Sequence, residues 1–464
     1  MSNNKVFILL PDGIGLRNFA YTNFYEIGIQ NKFDITYWNS TPFNLSDLGY
    51  NEIKLNSSPH PLTNILKRVR TQIDLNLNIK KTKDNVYDSY RFKSSYHDFK
   101  STIKSSLVVV LSSIFNSDKG VLKIRKWIKN QERKTQYYKN CKATLEKEKP
   151  AIVFCTNQRP VIGIAPIIAA QDLGIPTATF IFSWDNLPKA TMVIETDYYF
   201  VWSEHMKNEL MFYYPYINEN QIFITGTPQF EKHVDETLLM SKEDFFRENN
   251  LDLQTKYICY SGDDITTSPN DPQYLQDTAE AIRKLSSIKV RYGIIFRRCP
   301  VDFSNRFDKV LENNNDIIKV IEPKWKKLGD VWNTILPTKE DFILQINTIK
   351  HTEMVVNLGS SMVFDYATQQ KPCAYINYDV LNTEYPNWSV KNIYNFVHFR
   401  SMPNKNAVVW LNSPDEIAEK IEMALSNQKA TVTAAKEWFE KINQHPIDQA
   451  SQRMISSIEK ITLK

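Results

Sequence analysis

The residues best suited to chemistry stand where short apolar runs give way to turns. Asp12 lies in Pro11-Asp12-Gly13-Ile14-Gly15-Leu16-Arg17-Asn18, directly after Val6-Phe-Ile-Leu-Leu10. An ionised carboxylate there could take a proton from an acceptor hydroxyl, with Gly13 and Asn18 contacting the acceptor. Capping of the following helix is the structural alternative. The glycine spacing is half a dinucleotide fingerprint, but Asn18 holds the third glycine position and no acidic residue closes a second strand as required. Phe182-Ser-Trp-Asp-Asn-Leu-Pro-Lys189 repeats the arrangement: Asp185 is a second candidate base, Asn186 a hydrogen-bonding group, Lys189 a cation and Trp184 a ring that could carry a sugar. An Asp-Asn turn would also explain these residues. In Ile224-Thr-Gly-Thr-Pro-Gln-Phe230, Gly226 and Pro228 make a tight turn, leaving Thr227 and Gln229 either to face a ligand or to complete the turn.

A second group suits anions. Asn357-Leu-Gly-Ser-Ser-Met-Val-Phe-Asp365 follows one apolar run and opens a helix. Gly359 permits close backbone approach, and Ser360 and Ser361 supply hydroxyls and N–H groups at the positive helix end, which outlines a phosphate site. Asp365 falls one to two turns on, where it could meet ribose hydroxyls; a plain Ser cap is the alternative. Phe296-Arg-Arg-Cys-Pro300 places Arg297 and Arg298 after another run, where either could neutralise a departing diphosphate or make a surface ion pair. Metal chemistry has no framework here. No DxD closes a strand, no HExxH or clustered His is present, and the five cysteines include no CxxC pair. Asp263-Asp264 reads as a turn or a donor-contacting loop. The expectation is therefore no bound metal or other cofactor.

These residues need elements to hold them. Val6–Leu10, Ile152–Cys155, Thr177–Phe182, Tyr198–Trp202 and Ile222–Thr225 are short runs apolar on both faces, separated by helix-length segments. Tyr257–Tyr260, Gly293–Phe296, Ile317–Val320, Met354–Asn357 and Cys373–Ile376 form a second such series. Such runs are the signature of parallel strands buried under helices. The reading is α/β, with two Rossmann-like doubly wound domains facing a central cleft, spanning 1–235 and 236–440. A terminal helical segment, 441–464, offers Ile447, Met454, Ile455, Ile458 and Ile461 as an apolar face and is expected to cross back onto the first domain. The 464 residues provide ample material for two cores, and 42% hydrophobic residues exclude a disordered chain. Glycine is scarce, 12 residues in all, which excludes glycine-rich architectures.

The net charge of +5 does not point to nucleic acid. It is unevenly spread. Between Lys119 and Lys149 eleven Lys and Arg face three Glu, inside a segment at about 57–145 that interrupts the first series. One reading is a solvated helix packed on the domain; the other is a basic amphipathic surface at 119–149 for anionic lipid or a lipid-linked acceptor. The first apolar run is too short for a signal peptide and Leu107–Leu111 is too short to span a bilayer, so the expected location is cytoplasmic, with peripheral contact at the inner membrane face as the extension.

Taken in order, SWDN, ITGTPQF, FRRCP and VNLGSSMVFDYATQQKP resemble the two-Rossmann (GT-B) glycosyltransferases of bacterial surface polysaccharide synthesis, such as capsule and lipopolysaccharide, over residues 1–20 and 150–460. The GSS stretch resembles that family's phosphate-and-ribose helix, which implies donor contacts for Ser360, Ser361 and Asp365. FRRCP resembles its Arg-Pro-His-Pro element, with Arg297 and Pro300 matching and Arg298 and Cys299 departing. Glu322-Pro-Lys-Trp325 resembles the loop against the nucleobase, implicating Pro323 and Trp325. His445-Pro-Ile-Asp448 with Arg453 resembles the closing helix. The resemblance implies metal-free, inverting transfer from a nucleotide sugar to a glycan or lipid-linked hydroxyl, with Asp12 or Asp185 as base. The same layout resembles UDP-N-acetylglucosamine 2-epimerases and polyol-phosphate transferases. A nucleotide-sugar-binding scaffold is the non-enzymatic alternative, and a CMP-activated sugar would need fewer phosphate contacts than these residues offer.

Overall fold

Runs apolar on both faces can bury only between helix layers, and the computed structural model of the chain follows that requirement. It describes residues 4–56, 58–92, 94–287, 290–329, 335–381 and 383–463. Ser57 and Lys93 of the 57–145 segment, and Lys464, lie outside the described residues. The chain forms two compact units: Met1–Pro228 with Ile442–Lys464, and Gln229–Lys441. Residues 229–235, which patterning assigns to the first domain, thus belong to the second unit.

The first unit holds β1 (Lys5–Leu10), β2 (Asp34–Asn39), β3 (Glu52–Lys54), β4 (Ile152–Cys155), β5 (Thr177–Phe180), β6 (Tyr198–Val201) and β7 (Ile222–Ile224). They pair in parallel in the order β3-β2-β1-β4-β5-β6-β7. The second unit holds β8 (Thr255–Ser261), β9 (Arg291–Arg297), β10 (Ile318–Val320), a separate antiparallel ribbon of β11 (Lys326–Lys327) and β12 (Ile335–Leu336), then β13 (Val355–Asn357), β14 (Cys373–Ile376) and β15 (Val409–Leu411). Its sheet runs β10-β9-β8-β13-β14-β15. Counted from its own first strand, the second sheet reads 3-2-1-4-5-6, the doubly wound Rossmann order, and the first reads the same with a seventh strand added at its edge. The order reverses between β1 and β4 and between β8 and β13, and the crevice at the carboxyl ends there is where such sheets bind ligands.

The helices that flank the first sheet's switch point and fill its long crossover are α1 (Ile14–Phe19), α2 (Phe24–Gln30), α3 (Thr63–Thr82), α4 (Phe99–Ile114), α5 (Asp118–Glu132) and α6 (Gln136–Glu148). The last four make up the crossover from β3 to β4. The interrupting segment is therefore an enlarged crossover of the sheet itself. Despite its polar composition it joins the core through Leu66, Val69 and Ile73 of α3, Ile124 and Ile128 of α5 and Leu145 of α6, packed with Phe7 and Val153. Each such side chain contributes about 1.5–3 kcal/mol on burial, enough to hold helices whose outer faces are charged. Part of the basic excess is consumed within the unit. Arg125 and Lys129 ion-pair with Glu195, and Arg133 pairs with Asp172 at 2.7 Å.

The terminal helix Ala450–Thr462 packs against α2. Met454, Ile455, Ile458 and Ile461 are all buried. Among the described residues no helix is long and apolar enough to cross a membrane.

Candidate functional site

The first switch point is built by the chain leaving β1 and β4. Asp12 follows β1, and its Oδ1 accepts from the Ile14 backbone N–H at 3.2 Å. Oδ2 accepts from Asn157 Nδ2 at 2.8 Å, where Asn157 follows β4. Asp12 is 6% exposed, and burial raises its pKa to about 6 against the opposing pull of these hydrogen bonds and of Arg159. A carboxyl group so placed gains and loses its proton near neutrality, as a general base must. It also ties the start of α1 through the Ile14 N–H.

The Ser183–Lys189 turn is arranged differently. Asp185 ion-pairs with Lys189 and accepts from Asn186 Nδ2 at 2.8 Å. Asn186 is buried, its Oδ1 receiving Gln158 Nε2 at 2.8 Å. Trp184 is buried to the same degree as Asp12, at 6% exposure.

The turn after β7 is filled by protein. Gly226 has φ +74°, and a Cβ there would stand 3.0 Å from Arg453 Nη2 and 3.1 Å from the Gln444 carbonyl oxygen. Arg453 Nε donates to the Thr225 carbonyl at 2.7 Å, and its other nitrogens reach the carbonyls of Gln444 and Pro446. The Thr227 N–H donates to Asn443 Oδ1 at 2.9 Å, and its hydroxyl to Asn18 Oδ1 at 3.1 Å. Thr227 and Asn18 are both buried, so neither faces a ligand: they complete the socket in which the returning terminal segment sits. Gln229 begins the second unit.

At the second switch point the turn after β13 stays open. Gly359 has φ +67°, and Ser360 N–H donates to Asn357 Oδ1 at 2.9 Å. Ser360 is half-buried and Ser361 exposed, ahead of the seven-residue helix Met362–Thr368. Asp365 is buried, with its Oδ1 3.1 Å from His233 Nε2 and 3.5 Å from Gln345 Nε2, so its carboxylate is turned to protein partners. Arg297 is buried and gives Nη2 to Asp341 Oδ1 at 3.1 Å, while its Nη1 makes no hydrogen bond among the described residues. The same Asp341 accepts from Lys324 N–H at 2.9 Å and from Trp325 Nε1 at 2.7 Å, which fixes the Pro323–Trp325 loop. Arg298 donates to the Ser304 carbonyl and lies half-buried beside Phe307.

Asp263, directly after β8 and Gly262, is pushed up to about 8 by burial and by the carboxylates of Asp271 and Asp264. Asp271, raised to about 6, accepts from Tyr260 OH and from Asp263 N–H, each at 2.7 Å. Among the described residues no three His, Cys, Asp or Glu gather as metal ligands would.

Sequence reasoning missed Asn157, Gln158, Asp341 and His233. The first two were within reach, because Thr156-Asn157-Gln158-Arg159 is a polar cluster directly after β4. Asp341 and His233 carry no local signal, since each meets its partner across long sequence separations.

No family model and no curated protein matches the chain by sequence. Solved structures share its fold over nearly its whole length. The UDP-GlcNAc 2-epimerase of Methanocaldococcus jannaschii has TM-score 0.53 at 15% identity, covering 98% of this chain and 99% of that one. A co-structure of S. aureus MnaA with UDP has TM-score 0.52 at 11% identity, covering 98% and 96%. A glycosyltransferase from Rickettsia africae has TM-score 0.53 at 10% identity, covering 99% of each. The fold is thus of the two-Rossmann GT-B type.

Proposed function

We propose that the protein is a nucleotide-sugar-dependent glycosyltransferase of bacterial surface polysaccharide synthesis, working without a metal. The reading is carried by what stands at the two switch points: a carboxylate poised near neutrality on the first sheet, and an open hydroxyl-bearing turn on the second. Asp12 takes the proton of an acceptor hydroxyl as its oxygen attacks the anomeric carbon. The bond to the nucleoside diphosphate breaks, and the anomeric centre inverts. Ser360, Ser361, the Gly359 turn and the free Nη1 of Arg297 receive the diphosphate charge, with Arg298 in support. The acceptor is a hydroxyl of a glycan or lipid-linked glycan.

Asp12→Asn should lower turnover by about 10²–10⁴, the usual worth of a general base. Asp185→Asn, whose carboxylate is held by Lys189, should keep most of it. Near wild-type turnover in Asp12→Asn sinks this assignment. A thermal-shift series with UDP, GDP, CDP, CMP and dTDP tests the donor site, since a nucleotide at ~100 times its Kd should stabilise by ~2.7 kcal/mol.

A second reading, epimerisation of the donor sugar, draws support from the 2-epimerases among the structures of the same fold. Incubation with donor alone separates the two: an epimerase yields a new sugar nucleotide, and a transferase leaves the donor sugar unchanged.

A further inference from the structure

Helix α4 is built inside out. It packs against α3 and is held to the unit by Ser105, Val108 and Ser112, with Leu111 and Phe115 partly buried. The opposite side carries Phe99, Ile103, Leu107, Val110 and Ile114, which are 37% to 83% exposed. Their spacing of four, four, three and four residues makes one continuous stripe. A helix on a water-facing surface has the reverse distribution, and a continuous exposed apolar face marks a surface that something covers.

Charge selects the occupant. Within α4 stand Lys100 and Lys104, both exposed, and no Asp or Glu. On α5, Lys119, Lys123 and Lys126 are exposed at i, i+4 and i+7, apart from Arg125 and Lys129, which ion-pair with Glu195. Asp98 is committed to capping α4 through the Ser101 N–H at 2.9 Å. A second copy of the chain would bring lysines against lysines, whereas an anionic lipid surface meets both the apolar stripe and the cations. At 16 residues the helix is shorter than the ~20 that span a bilayer, so it lies along the interface. We propose that α4 seats the protein on an anionic lipid surface through the Phe99–Ile114 stripe, with Lys100 and Lys104 meeting the headgroups. This shifts the expected contact from 119–149 to the preceding helix.

Co-sedimentation of the full chain with phosphatidylcholine vesicles, and with vesicles containing about one-third phosphatidylglycerol, tests it. Binding to the anionic vesicles should exceed binding to the neutral ones by about tenfold and weaken as added salt screens the lysines. The Ile103→Asp/Val110→Asp double variant should lose vesicle binding at an unchanged melting temperature. Lys100→Glu/Lys104→Glu should weaken binding in the same direction. A wild-type protein that stays in the supernatant with both vesicles overturns the proposal, as does a double variant that still binds. Equal binding to neutral vesicles overturns the role of the lysines. A wild-type dimer that the double variant dissolves assigns the face to a second copy instead. None of these outcomes depends on the donor site, so the transferase reading and this one fail separately.

Discussion

Two glycine turns, Gly226 after β7 and Gly359 after β13, share a backbone conformation and a following hydroxyl residue, yet they have opposite surroundings. At Gly226 the space is taken by Arg453, Gln444 and Asn443, so the turn's polar groups are satisfied by the chain itself. At Gly359 the neighbours are the side chains of Ile393, Phe399 and Tyr394, packed beneath, while Ser360 and Ser361 remain towards solvent. A strand-end glycine is therefore no sign of a ligand until one knows what occupies the turn. In the first unit Gly226 follows the edge strand, whereas the switch point between β1 and β4 carries Asp12.

The comparison can be broken at five residues. Gly226→Ala should cost about 3 kcal/mol in urea denaturation, since the left-handed strain of about 1–2 kcal/mol adds to a close approach to carbonyl and guanidinium. The matching Gly359→Ala should cost about half, because the side chains it meets can shift; equal losses would erase the distinction.

Asp12→Asn gives a pH-dependent effect. The fold holds the Asp12 proton up to about pH 6, against 3.8 for an unperturbed Asp. Between these values the folded state binds more protons than the unfolded one, so the wild-type stability contribution falls as pH rises from about 4 to 6 and stays reduced above. Asp12→Asn should therefore gain about 2 kcal/mol over wild type at pH 7 and nothing at pH 4, seen in paired melts, even as turnover is lost. A gain at pH 4 would contradict the burial argument.

Arg453→Lys keeps the charge but loses the fork that reaches three carbonyls, and should cost about 1–2 kcal/mol without altering nucleotide affinity. The smallest effect belongs to Ser361→Ala. Removing one exposed hydroxyl should weaken nucleotide binding about three- to tenfold by calorimetry and leave the melting temperature in place. If Ser361→Ala shifts the melt and Arg453→Lys shifts the affinity, the roles of the two turns are reversed.

The fold was legible because its signal is local. Runs such as Phe7–Leu10 and Val153–Cys155 are apolar on both faces, and that alone requires parallel strands under helices. The strand-end residues were legible for the same reason, down to Asp12 and the Gly359 turn. What could not be read was occupancy. Thr227 and Asn18 look like ligand contacts until Asn443, more than 200 residues away, closes over the same turn. Arg297 looks like a free cation until Asp341 claims half of it.

The socket around Gly226 also bears on the order of events during synthesis. Its occupants belong to Ile442–Lys464, a stretch of the first unit that is made only after the whole of Gln229–Lys441 has been translated. A growing chain can thus lay down all seven strands of its first sheet and still carry an unfilled turn, with the apolar cover for α2 missing until the final helix emerges. The unit that begins first is completed last, so a ribosome stalled anywhere in the second unit holds a first unit that has not finished folding.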